Sequence, residues 1–325
     1  MSKVVPQASL STVSLEMTRA GFGEGLVEAG KDPRVFALCA DLTDSIKISG
    51  FAKAYPERFL EIGVAEQNMM GIAAGLALTG KIPFIASYAV FNPGRNWDQL
   101  RVSVCYSQAN VKIVGAHAGL SVGPDGATHQ ALEDIAITRV LPGLTVVVPT
   151  DALEAKKAVL ALALHVGPAY IRFGRDKNPQ LTTPETPFVI GKANLFREGK
   201  DVTLLANGPL VYEDLVAAEE LSKQGIEAEV LSVPTVKPLD NDAILASAKK
   251  TGAVVTAEEA QASGGLGSAV AELLGEQYPV PMYRIGVRDS FGESGKPEEL
   301  MVKYGLKASN IVTAAKELQT RKLKR

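Results

Sequence analysis

Four side chains of this sequence can move a proton or hold a phosphate group: Glu66, His117, His129 and Arg175. Histidine titrates near neutral pH, and arginine forms paired hydrogen bonds to phosphate oxygens. His117 and His129 lie 12 residues apart in a glycine-rich stretch. The third histidine, His165, ends an apolar helical pattern and is interpreted as structural. For His129 the alternative is a loop histidine that bonds only to backbone.

Glu66 opens a predicted helix whose next turns contain small residues, namely Gly71, Ala73, Ala74, Gly75 and Ala77. Such residues let a helix pack closely against another surface. A carboxylate that lies among apolar neighbours is suited to carrying a proton. The alternative is that Glu66 only satisfies the positive N-terminal end of the helix dipole. The residues alone leave both interpretations open.

Two aromatic residues, Tyr88 and Phe91, follow a predicted strand. Aromatic rings on a loop at the carboxyl end of a strand are suited to stacking on a flat ligand ring. The alternative is that both rings belong to the core. Asp125 also has two interpretations, because the Pro-Asp-Gly sequence around it is an ordinary turn signal.

These residues need a scaffold that brings them to one place, and the sequence predicts an α/β fold for it. Short apolar runs alternate with longer helical patterns, which is typical of a parallel sheet covered on both faces. The predicted strands of the first region are residues 35–38, 82–85, 111–115, 144–148 and 169–172. The predicted helices are residues 12–29, 66–78, 95–106, 131–139 and 152–165. Loops at the carboxyl ends of such strands are where open α/β sheets bind ligands.

A second α/β region follows a polar segment. Residues 176–186 read DKNPQLTTPET, which predicts a linker and a domain boundary near residue 185. The predicted strands beyond it are residues 202–206, 228–231, 253–256 and 282–285. The predicted helices are residues 211–224, 241–249, 267–274 and 297–304. The second sheet is expected to be mainly parallel, with an antiparallel edge strand as an option.

Composition excludes several classes of protein. Apolar residues make up 46% and charged residues 22%, as in ordinary globular proteins, and the formal net charge of -2 gives no basic field for nucleic acid or anionic lipid. No signal-peptide pattern or bilayer-length apolar run is present, so a cytoplasmic protein is expected. Cys39 and Cys105 are expected to be buried free thiols. A frayed tail is expected at the four basic C-terminal residues, Arg321, Lys322, Lys324 and Arg325.

Four segments together resemble the transketolase family of thiamine-diphosphate enzymes. In chain order they are residues 40–42 (ADL), 63–69 (GVAEQNM), 125–130 (DGATHQ) and 173–175 (FGR). The resemblance covers the whole chain and implies the C-terminal half of a split transketolase. Residues 1–185 would form a pyrimidine-binding domain and residues 186–325 a transketolase C-terminal domain. The implied reaction moves a two-carbon ketol unit from a ketose phosphate to an aldose phosphate, as in the pentose phosphate pathway.

The resemblance also implies roles for individual residues. Glu66 matches the glutamate that hydrogen-bonds a ring nitrogen of the cofactor's aminopyrimidine, which promotes loss of the proton from the thiazolium carbon. Tyr88 and Phe91 match the pyrimidine pocket. His129 matches a histidine that contacts the donor ketose, and Asp125 matches an aspartate that binds a sugar hydroxyl. The cofactor supplies the reactive carbon, and the protein supplies position and protonation state.

A further set of matches concerns the phosphate group of the sugar. Arg175 matches the arginine that grips this phosphate in transketolases. The same match adds Arg19, Ser45 and His117 to the phosphate site. Asp41 matches an aspartate that lies near the cofactor where two subunits meet. The resemblance thus implies one site that holds both the cofactor ring and a sugar phosphate.

One segment of the family pattern is missing from the sequence. Thiamine-diphosphate enzymes bind Mg²⁺ and the diphosphate through a Gly-Asp-Gly segment, and this chain has none. A diphosphate with Mg²⁺ needs fixed oxygen ligands, so a separate N-terminal subunit is expected to supply them. Two-fold symmetry makes two copies of each subunit the simplest assembly.

Several alternatives stay open. The segment at residues 95–99 (RNWDQ) is also close to the deoxyxylulose-phosphate synthase pattern, and Arg95 can either reach the substrate or cap its helix. A 2-oxo acid dehydrogenase β subunit, a transketolase for an unusual sugar and a non-catalytic structural subunit are the other candidates. The glycine-rich residues 263–268 (SGGLGS) precede a predicted helix and can bind a phosphate or build a tight structural loop. The structural interpretation is preferred for that loop.

Overall fold

The computed structural model describes residues 3–323, and for Leu323 the backbone only. The first half contains β1 (Leu15–Met17), α1 (Thr18–Ala29), β2 (Val35–Cys39), α2 (Ser49–Ala54), β3 (Phe59–Glu61), α3 (Glu66–Leu78), β4 (Ile82–Tyr88), α4 (Trp97–Gln99), β5 (Lys112–Ala116), α5 (Asp134–Arg139), β6 (Thr145–Val147), α6 (Ala152–Leu164), β7 (Ala169–Arg172) and β8 (Lys177–Pro179). A π-helical stretch, Leu100–Tyr106, continues α4. The second half contains β9 (Asn194–Arg197), β10 (Val202–Ala206), α7 (Leu210–Ser222), β11 (Ala228–Ser232), β12 (Thr235–Lys237), α8 (Asn241–Thr251), β13 (Val254–Gln261), α9 (Leu266–Gln277), β14 (Met282–Val287), α10 (Pro297–Lys303) and α11 (Ala308–Leu323).

The larger sheet of the described residues has seven strands in the order β12-β6-β7-β5-β4-β2-β3. All of them run parallel except β12, which is antiparallel to β6. Successive side chains of a strand point to opposite faces. In β4, Phe84 lies in the core shared with α1 and α6, and Ile85 lies in the core shared with α3. Helices therefore cover both faces, which confirms the predicted doubly wound α/β fold.

The second sheet has five described strands in the order β14-β13-β10-β11-β9. They run parallel except β9, which is antiparallel to β11, so the second sheet does carry an antiparallel edge strand. The chain then returns to the first sheet, because Thr235 of β12 pairs with Val147 of β6. The two regions share this strand pairing, and a domain boundary near residue 185 stays a prediction.

The predicted start of the first helix is wrong. The helix was expected over residues 12–29, but α1 begins at Thr18. The preceding residues Leu15–Met17 form β1 instead, which pairs antiparallel with Lys177–Pro179. Pairing with a distant strand outweighs the local helical pattern at this point.

The predicted linker is an ordered segment and not a free connection. The carboxylate of buried Asp151 accepts hydrogen bonds from the backbone N–H groups of Leu181 and Thr182 at 2.8 and 2.6 Å. Lys157 Nζ donates to the carbonyl oxygens of Thr183 and Thr186. Asp151 caps the start of α6 and Lys157 lies within that helix, so the segment is fixed to the first region.

Three further predictions concern the two cysteine thiols, the basic C-terminal residues and the absence of a membrane-spanning segment. Cys39 and Cys105 are buried and free, as predicted, and burial raises the pKa of each thiol to about 11. Lys324 and Arg325 lie outside the described residues. Lys322 does not belong to a frayed tail, because it lies in α11 and donates to the carbonyl oxygen of Thr251. Within residues 3–323, every helix is too short or too polar to cross a membrane.

Candidate active site

Most of the predicted site residues converge at the carboxyl edge of the first sheet. Tyr88 ends β4, His117 directly follows β5, and Arg175 follows β7. These strands are neighbours in the sheet, in the order β7-β5-β4. Because the carboxyl ends of parallel strands meet at one edge, side chains that are far apart in sequence come together here.

Glu66 is the first residue of α3, and its side chain is almost fully buried. One carboxylate oxygen accepts a hydrogen bond from Ser87 Oγ at 3.1 Å, and the other accepts one from Arg95 Nη1 at 2.6 Å. The carboxylate was expected to lie among apolar neighbours, and the structure adds these two polar partners. The open question about Arg95 is answered in this structure by the Glu66 ion pair, which sequence reasoning did not consider.

Two buried asparagines connect the start of α3 to β4 and β5. Asn96 Nδ2 donates to the backbone oxygen of Glu66 at 3.1 Å and to Asn92 Oδ1 at 2.9 Å. Asn92 Nδ2 donates in turn to the carbonyl oxygens of Ile85 and Val114, both at 3.1 Å. Sequence reasoning missed both residues. Their spacing of one helical turn is a weak signal, since it does not identify the partners.

An aromatic cluster lies beside Glu66. The rings of Tyr88 and Phe91 stack with centroids 6.4 Å apart, and His129 meets Phe91 edge-on at 5.5 Å. The Arg95 guanidinium lies over the outer part of this cluster, 4.4 Å from the Phe91 centroid. His129 also makes a hydrogen bond between its Nδ1 and Thr128 Oγ1 at 2.9 Å. These rings therefore form one contiguous wall and are not isolated core residues.

A polar set adjoins the same wall through Tyr88. The ring of His117 stacks on Tyr88 with centroids 4.0 Å apart. Ser45 Oγ lies 2.9 Å from the Tyr88 hydroxyl and 3.4 Å from His117 Nε2. Arg19 Nη1 lies 2.8 Å from the same nitrogen. Tyr88 therefore touches both the predicted pyrimidine set and the predicted phosphate set.

The protonation state of His117 follows from its contact with Arg19. A guanidinium can only donate, so Nε2 of His117 accepts and the ring proton lies on Nδ1. Burial, reinforced by the charges of Arg19 and Arg175, lowers the pKa of His117 to about 3. The ring is therefore neutral at physiological pH. Its buried Nδ1 has no hydrogen-bond partner among the described residues.

Arg175 is held over the loop that carries Asp125. Its Nη1 donates to Val122 O at 3.0 Å and to Asp125 Oδ1 at 3.3 Å. Burial and the nearby charge of Arg175 lower the pKa of Arg19. The predicted hydroxyl-binding aspartate and phosphate-binding arginine are thus direct neighbours, with a second guanidinium close by.

Asp41 is the exception among the predicted residues. It lies in an exposed loop after β2 with φ of 58°, a left-handed conformation that few residues other than glycine adopt. Its backbone N–H donates to Glu61 Oε1 at 2.7 Å, and Thr43 Oγ1 donates to the other Glu61 oxygen at 2.7 Å. Sequence reasoning missed Glu61, which fixes this loop. A cofactor role for Asp41 stays a prediction.

The chemistry of these residues fits the groups that the sequence resemblance implies. The planar Arg95 guanidinium lies over the Phe91 ring and donates to Glu66. An aminopyrimidine is also planar and has hydrogen-bond donors in its ring plane, so it fits the same two contacts. Arg19 Nε and His117 Nδ1 are buried donors without partners in the described chain, which is the chemistry that an oxyanion satisfies. Within residues 3–323, no three His, Cys, Asp or Glu side chains are grouped to hold a metal ion.

The glycine-rich loop in the second region has a different occupant. The carboxylate of buried Glu258 accepts hydrogen bonds from the N–H groups of Leu266 and Gly267, both at 2.8 Å. A Cβ on Gly265 would lie 1.9 Å from the same carboxylate. The protein's own carboxylate therefore takes the place that a phosphate would need, and the preferred structural interpretation of this loop holds.

Comparisons with known proteins match two families, one after the other along the chain. Residues 16–180 match the family described as transketolase, pyrimidine binding domain, and residues 191–311 match the transketolase C-terminal domain. The chain is 50% identical over 294 residues to the 6-deoxy-6-sulfo-D-fructose transketolase subunit SqwH of Clostridium sp. (strain MSTE9), covering 90% of this chain and 91% of that relative. It is 40% identical to an apulose-4-phosphate transketolase subunit of Phocaeicola vulgatus, over 92% of this chain and 96% of that protein.

Solved structures show the same likeness. One described as a split gene transketolase, inactive beta4 tetramer, is 48% identical with a TM-score of 0.88, covering 94% of this chain and 98% of that chain. The transketolase of Campylobacter jejuni is 26% identical with a TM-score of 0.78. The match covers 92% of this chain but only 46% of that longer chain.

Proposed function

This chain belongs to the transketolase family, and on that premise we propose that it is the C-terminal subunit of a two-subunit transketolase. It transfers a two-carbon ketol unit from a ketose phosphate to an aldose phosphate with thiamine diphosphate, and it works only with an N-terminal partner subunit. The observation that carries the proposal is Tyr88, which joins a carboxylate-and-aromatic set to a cationic set at one sheet edge. A cofactor ring and a sugar phosphate need these two chemistries side by side.

Glu66 is proposed to hold a ring nitrogen of the cofactor through its carboxylate. The carboxylate can do so because its present partners, Ser87 and Arg95, are hydrogen-bond donors, as a protonated ring nitrogen is. Tyr88 and Phe91 orient the ring by stacking and exclude water from the carboxylate. When bound, the cofactor supplies a nucleophilic carbon and an electron sink.

His129 and Asp125 are proposed to act on the hydroxyl groups of the sugar. His129 lies edge-on to the Phe91 ring at 5.5 Å, so a sugar next to the cofactor ring is within its reach. Imidazole can accept or donate a proton near neutral pH. Asp125 accepts a hydrogen bond from Arg175 and can accept a second one from a hydroxyl, which would select the configuration of that carbon.

Arg175 and Arg19 are proposed to hold the phosphate group. Two guanidiniums close together are favourable beside a doubly charged anion. Burial, and then the charge of Arg175, lower the pKa of Arg19. Neutral His117 contributes a hydrogen-bond donor at Nδ1 and not a charge. Ser45 fixes the His117 ring beside Tyr88.

The partner subunit is proposed to bring the Mg²⁺ and diphosphate site, because this sequence contains no Gly-Asp-Gly segment. The outward face of α3 supports an assembly. Gly71 and Gly75 have no atom within 4 Å of the place where a Cβ would be, and Val64 and Leu78 at the two ends of the helix are 70% and 72% exposed. Exposed apolar surface next to a site is typical of a contact between subunits. Two copies of each subunit remain the simplest assembly.

The donor sugar is proposed to be phosphorylated, and a sulfonated sugar is the second candidate. The sulfonated sugar is favoured by the relative that is 50% identical and named for 6-deoxy-6-sulfo-D-fructose. Both anions present three terminal oxygens on a tetrahedral centre, and guanidinium donors bind such oxygens in the same way. The charge differs, since a sulfonate carries one negative charge and a phosphate close to two.

The first experiment is an activity assay of this chain, alone and mixed with a Gly-Asp-Gly-bearing transketolase N-terminal subunit. Both samples contain Mg²⁺ and thiamine diphosphate. The substrates are xylulose 5-phosphate with ribose 5-phosphate, and in a second arm 6-deoxy-6-sulfofructose with an aldose phosphate acceptor. We expect ketol transfer only in the mixture, with the phosphorylated donor preferred.

The other outcomes are equally informative. Activity of this chain alone would contradict the partner requirement. A preference for the sulfonated donor would mean that Arg175 and Arg19 bind a sulfonate and not a phosphate. No transfer in either arm would exclude the transketolase reaction for these sugars and favour a deoxyxylulose-phosphate synthase, a 2-oxo acid dehydrogenase β subunit or a non-catalytic subunit.

A further inference from the structure

The amide of Gln130 ties the site loop, residues 119–130, to the second region of the chain. Gln130 directly follows His129 and is 4% exposed. Its Nε2 lies 3.3 Å from Leu120 O, 3.4 Å from Gly123 O and 3.0 Å from Glu293 O. Three carbonyl oxygens can only accept, so the amide nitrogen must face them. One side chain thus connects the start and the middle of the site loop to a residue of the second region.

The second region meets the site loop without space between them. A Cβ on Gly292 would lie 1.9 Å from Gln130 Oε1. On the other side, a Cβ on Gly126 would lie 2.5 Å from Ser294 Oγ, and Gly126 has φ of 74°. A side chain at position 292 would therefore displace the Gln130 amide, and the positive φ of Gly126 favours glycine on the other side. The strap, residues 291–297, rests directly on the turn that carries Asp125 and His129.

A second contact fixes the beginning of the same loop. Glu259 of β13 is buried, and its Oε1 accepts a hydrogen bond from the backbone N–H of Ser121 at 2.6 Å. The backbone oxygen of Glu259 accepts from Arg172 of β7 at 2.7 Å. A carboxylate and a carbonyl of the second region thus anchor the first region next to the site. The site loop is held from the second region at both Ser121 and Gln130.

We propose that Gln130 is a positioning residue through which the second region of the chain sets the place of Asp125 and His129. The proposal rests on the proposed function, because it assigns those two residues to the substrate. Glu66, Tyr88 and Phe91 lie on α3, β4 and the turn after β4, outside the site loop. Loosening the strap should therefore change sugar binding and leave cofactor binding unchanged.

The first test does not depend on activity. Hydrogen–deuterium exchange is measured on the full chain for the wild type, Gly292→Ala and the matched control Gly275→Ala. Gly275 also lies in the second region, but no atom lies within 4 Å of its Cβ position. We expect Gly292→Ala to raise exchange in residues 119–130 by about 10-fold or more, by local opening of a loop that has lost its anchor, while residues 82–91 stay unchanged. Equal exchange in Gly292→Ala and Gly275→Ala would overturn the proposal.

The second test uses the assembled enzyme and a second variant. Gln130→Glu keeps the size of the side chain but places a carboxylate oxygen against the three carbonyl oxygens. We expect kcat/KM for the ketose to fall by about 10- to 100-fold, mainly through KM, because the substrate groups are misplaced. The dissociation constant of thiamine diphosphate should stay within about twofold, a difference too small to reflect a lost contact. An unchanged KM, or an equal loss of cofactor affinity, would contradict a positioning role.

The two proposals fail in different ways. If the wild-type mixture transfers no ketol unit, the proposed function is wrong, and the exchange experiment still decides whether the strap holds the site loop. If the wild type is active and exchange in residues 119–130 does not respond to Gly292→Ala, the proposed function stands and the positioning role of Gln130 is wrong.

Discussion

Two helices of this chain, α3 and α9, begin beside a buried glutamate that is bonded in opposite ways. Glu258 reaches α9 from β13, and its two oxygens accept the backbone N–H groups of Leu266 and Gly267. Glu66 is itself the first residue of α3, and its oxygens accept from the side chains of Ser87 and Arg95. Both oxygens of Glu258 thus bond the backbone of a helix, and both oxygens of Glu66 bond side chains at a sheet edge.

The difference separates a carboxylate held by backbone groups from one held by side chains. Backbone N–H groups cannot leave Glu258 without opening α9. Arg95, by contrast, is 43% exposed at its side chain and can exchange its carboxylate partner for a ligand. A glycine-rich helix start is therefore no sign of a phosphate site when an internal carboxylate already occupies it. A buried carboxylate whose partner is a solvent-exposed side chain is the better candidate for chemistry.

The largest expected effect is on catalysis at Glu66. Glu66→Gln keeps the shape of the side chain but removes its ability to carry a proton, so we expect kcat of the assembled enzyme to fall by about 10²- to 10⁴-fold. The melting temperature should change little, because Arg95 reaches solvent when it loses the ion pair. The check is steady-state kinetics together with thermal denaturation. A variant that keeps most of its turnover would contradict the assigned role.

Glu258 should show the reverse pattern. Glu258→Ala leaves two buried N–H groups without partners, each costing about 1–3 kcal/mol, so the free energy of unfolding should fall by about 2–6 kcal/mol. The KM for the ketose should not change, since α9 does not contribute to the site. Urea denaturation measures the first effect and kinetics the second. A raised KM for the ketose without a loss of stability would contradict a purely structural role for Glu258.

The close fit around Glu258 gives a smaller effect with a matched control. A Cβ on Gly265 would lie 1.9 Å from Glu258 Oε2, so Gly265→Ala should destabilise the chain by about 1–3 kcal/mol through overpacking. Gly275→Ala, where nothing lies within 4 Å, should be neutral or more stable by up to about 1 kcal/mol. Denaturant unfolding of the two variants compares them. Equal stabilities would mean that the glycine loop has room for a ligand.

The start of a third helix, α6, contains a buried glutamate that, within the part of the chain that the structure describes, has only one of its two oxygens hydrogen-bonded. Glu154, in the first turn of α6, accepts from Thr150 N–H through Oε2, while its buried Oε1 has no partner in the described chain. Burial, with the charge of Asp151, raises the pKa of Glu154 to about 7 from an ordinary value of 4.5. Because the pKa is raised in the folded state, the protonated Glu154 side chain stabilises the fold. This contribution is complete below about pH 4.5 and is lost as pH rises through about 7.

Glu154→Gln removes that titration and keeps an acceptor for Thr150. We therefore expect the variant to gain at least about 1 kcal/mol over the wild type between about pH 5 and pH 8. Denaturant unfolding at the two pH values measures the change. A difference that is the same at both pH values would show that Glu154 stays ionised despite its burial.

Much of the fold could be predicted from the sequence, because buried parallel strands and their helices leave strong local patterns. The helix over residues 66–78 has the predicted bounds, and the strand over residues 169–172 does as well. Helices α2 and α11 were missed. The short strands β1, β3, β8, β9 and β12 were also missed, since each has only three or four residues and is held by pairing with another strand. Residues 176–186 look like a linker for the same reason.

The candidate site shows the same division. The segment at residues 125–130 and the glutamate at position 66 stand out by residue type, and the resemblance to a family adds roles to them. Ser87, Asn92 and Asn96 carry no such signal, because polar residues of these types occur in every loop. Their importance follows from buried hydrogen bonds to groups that lie elsewhere in the sequence.

By itself the sequence determined the α/β class, the family and the set of side chains that can do chemistry, since these depend on local pattern and residue type. Only the tertiary structure decided which carboxylate bonds the backbone of a helix and which bonds an exposed arginine. It also decided that Gln130 bonds the second region and that Tyr88 joins the two halves of the site. The physical reason is that hydrogen bonds and burial act through space, between residues whose separation along the chain carries no record of their contact.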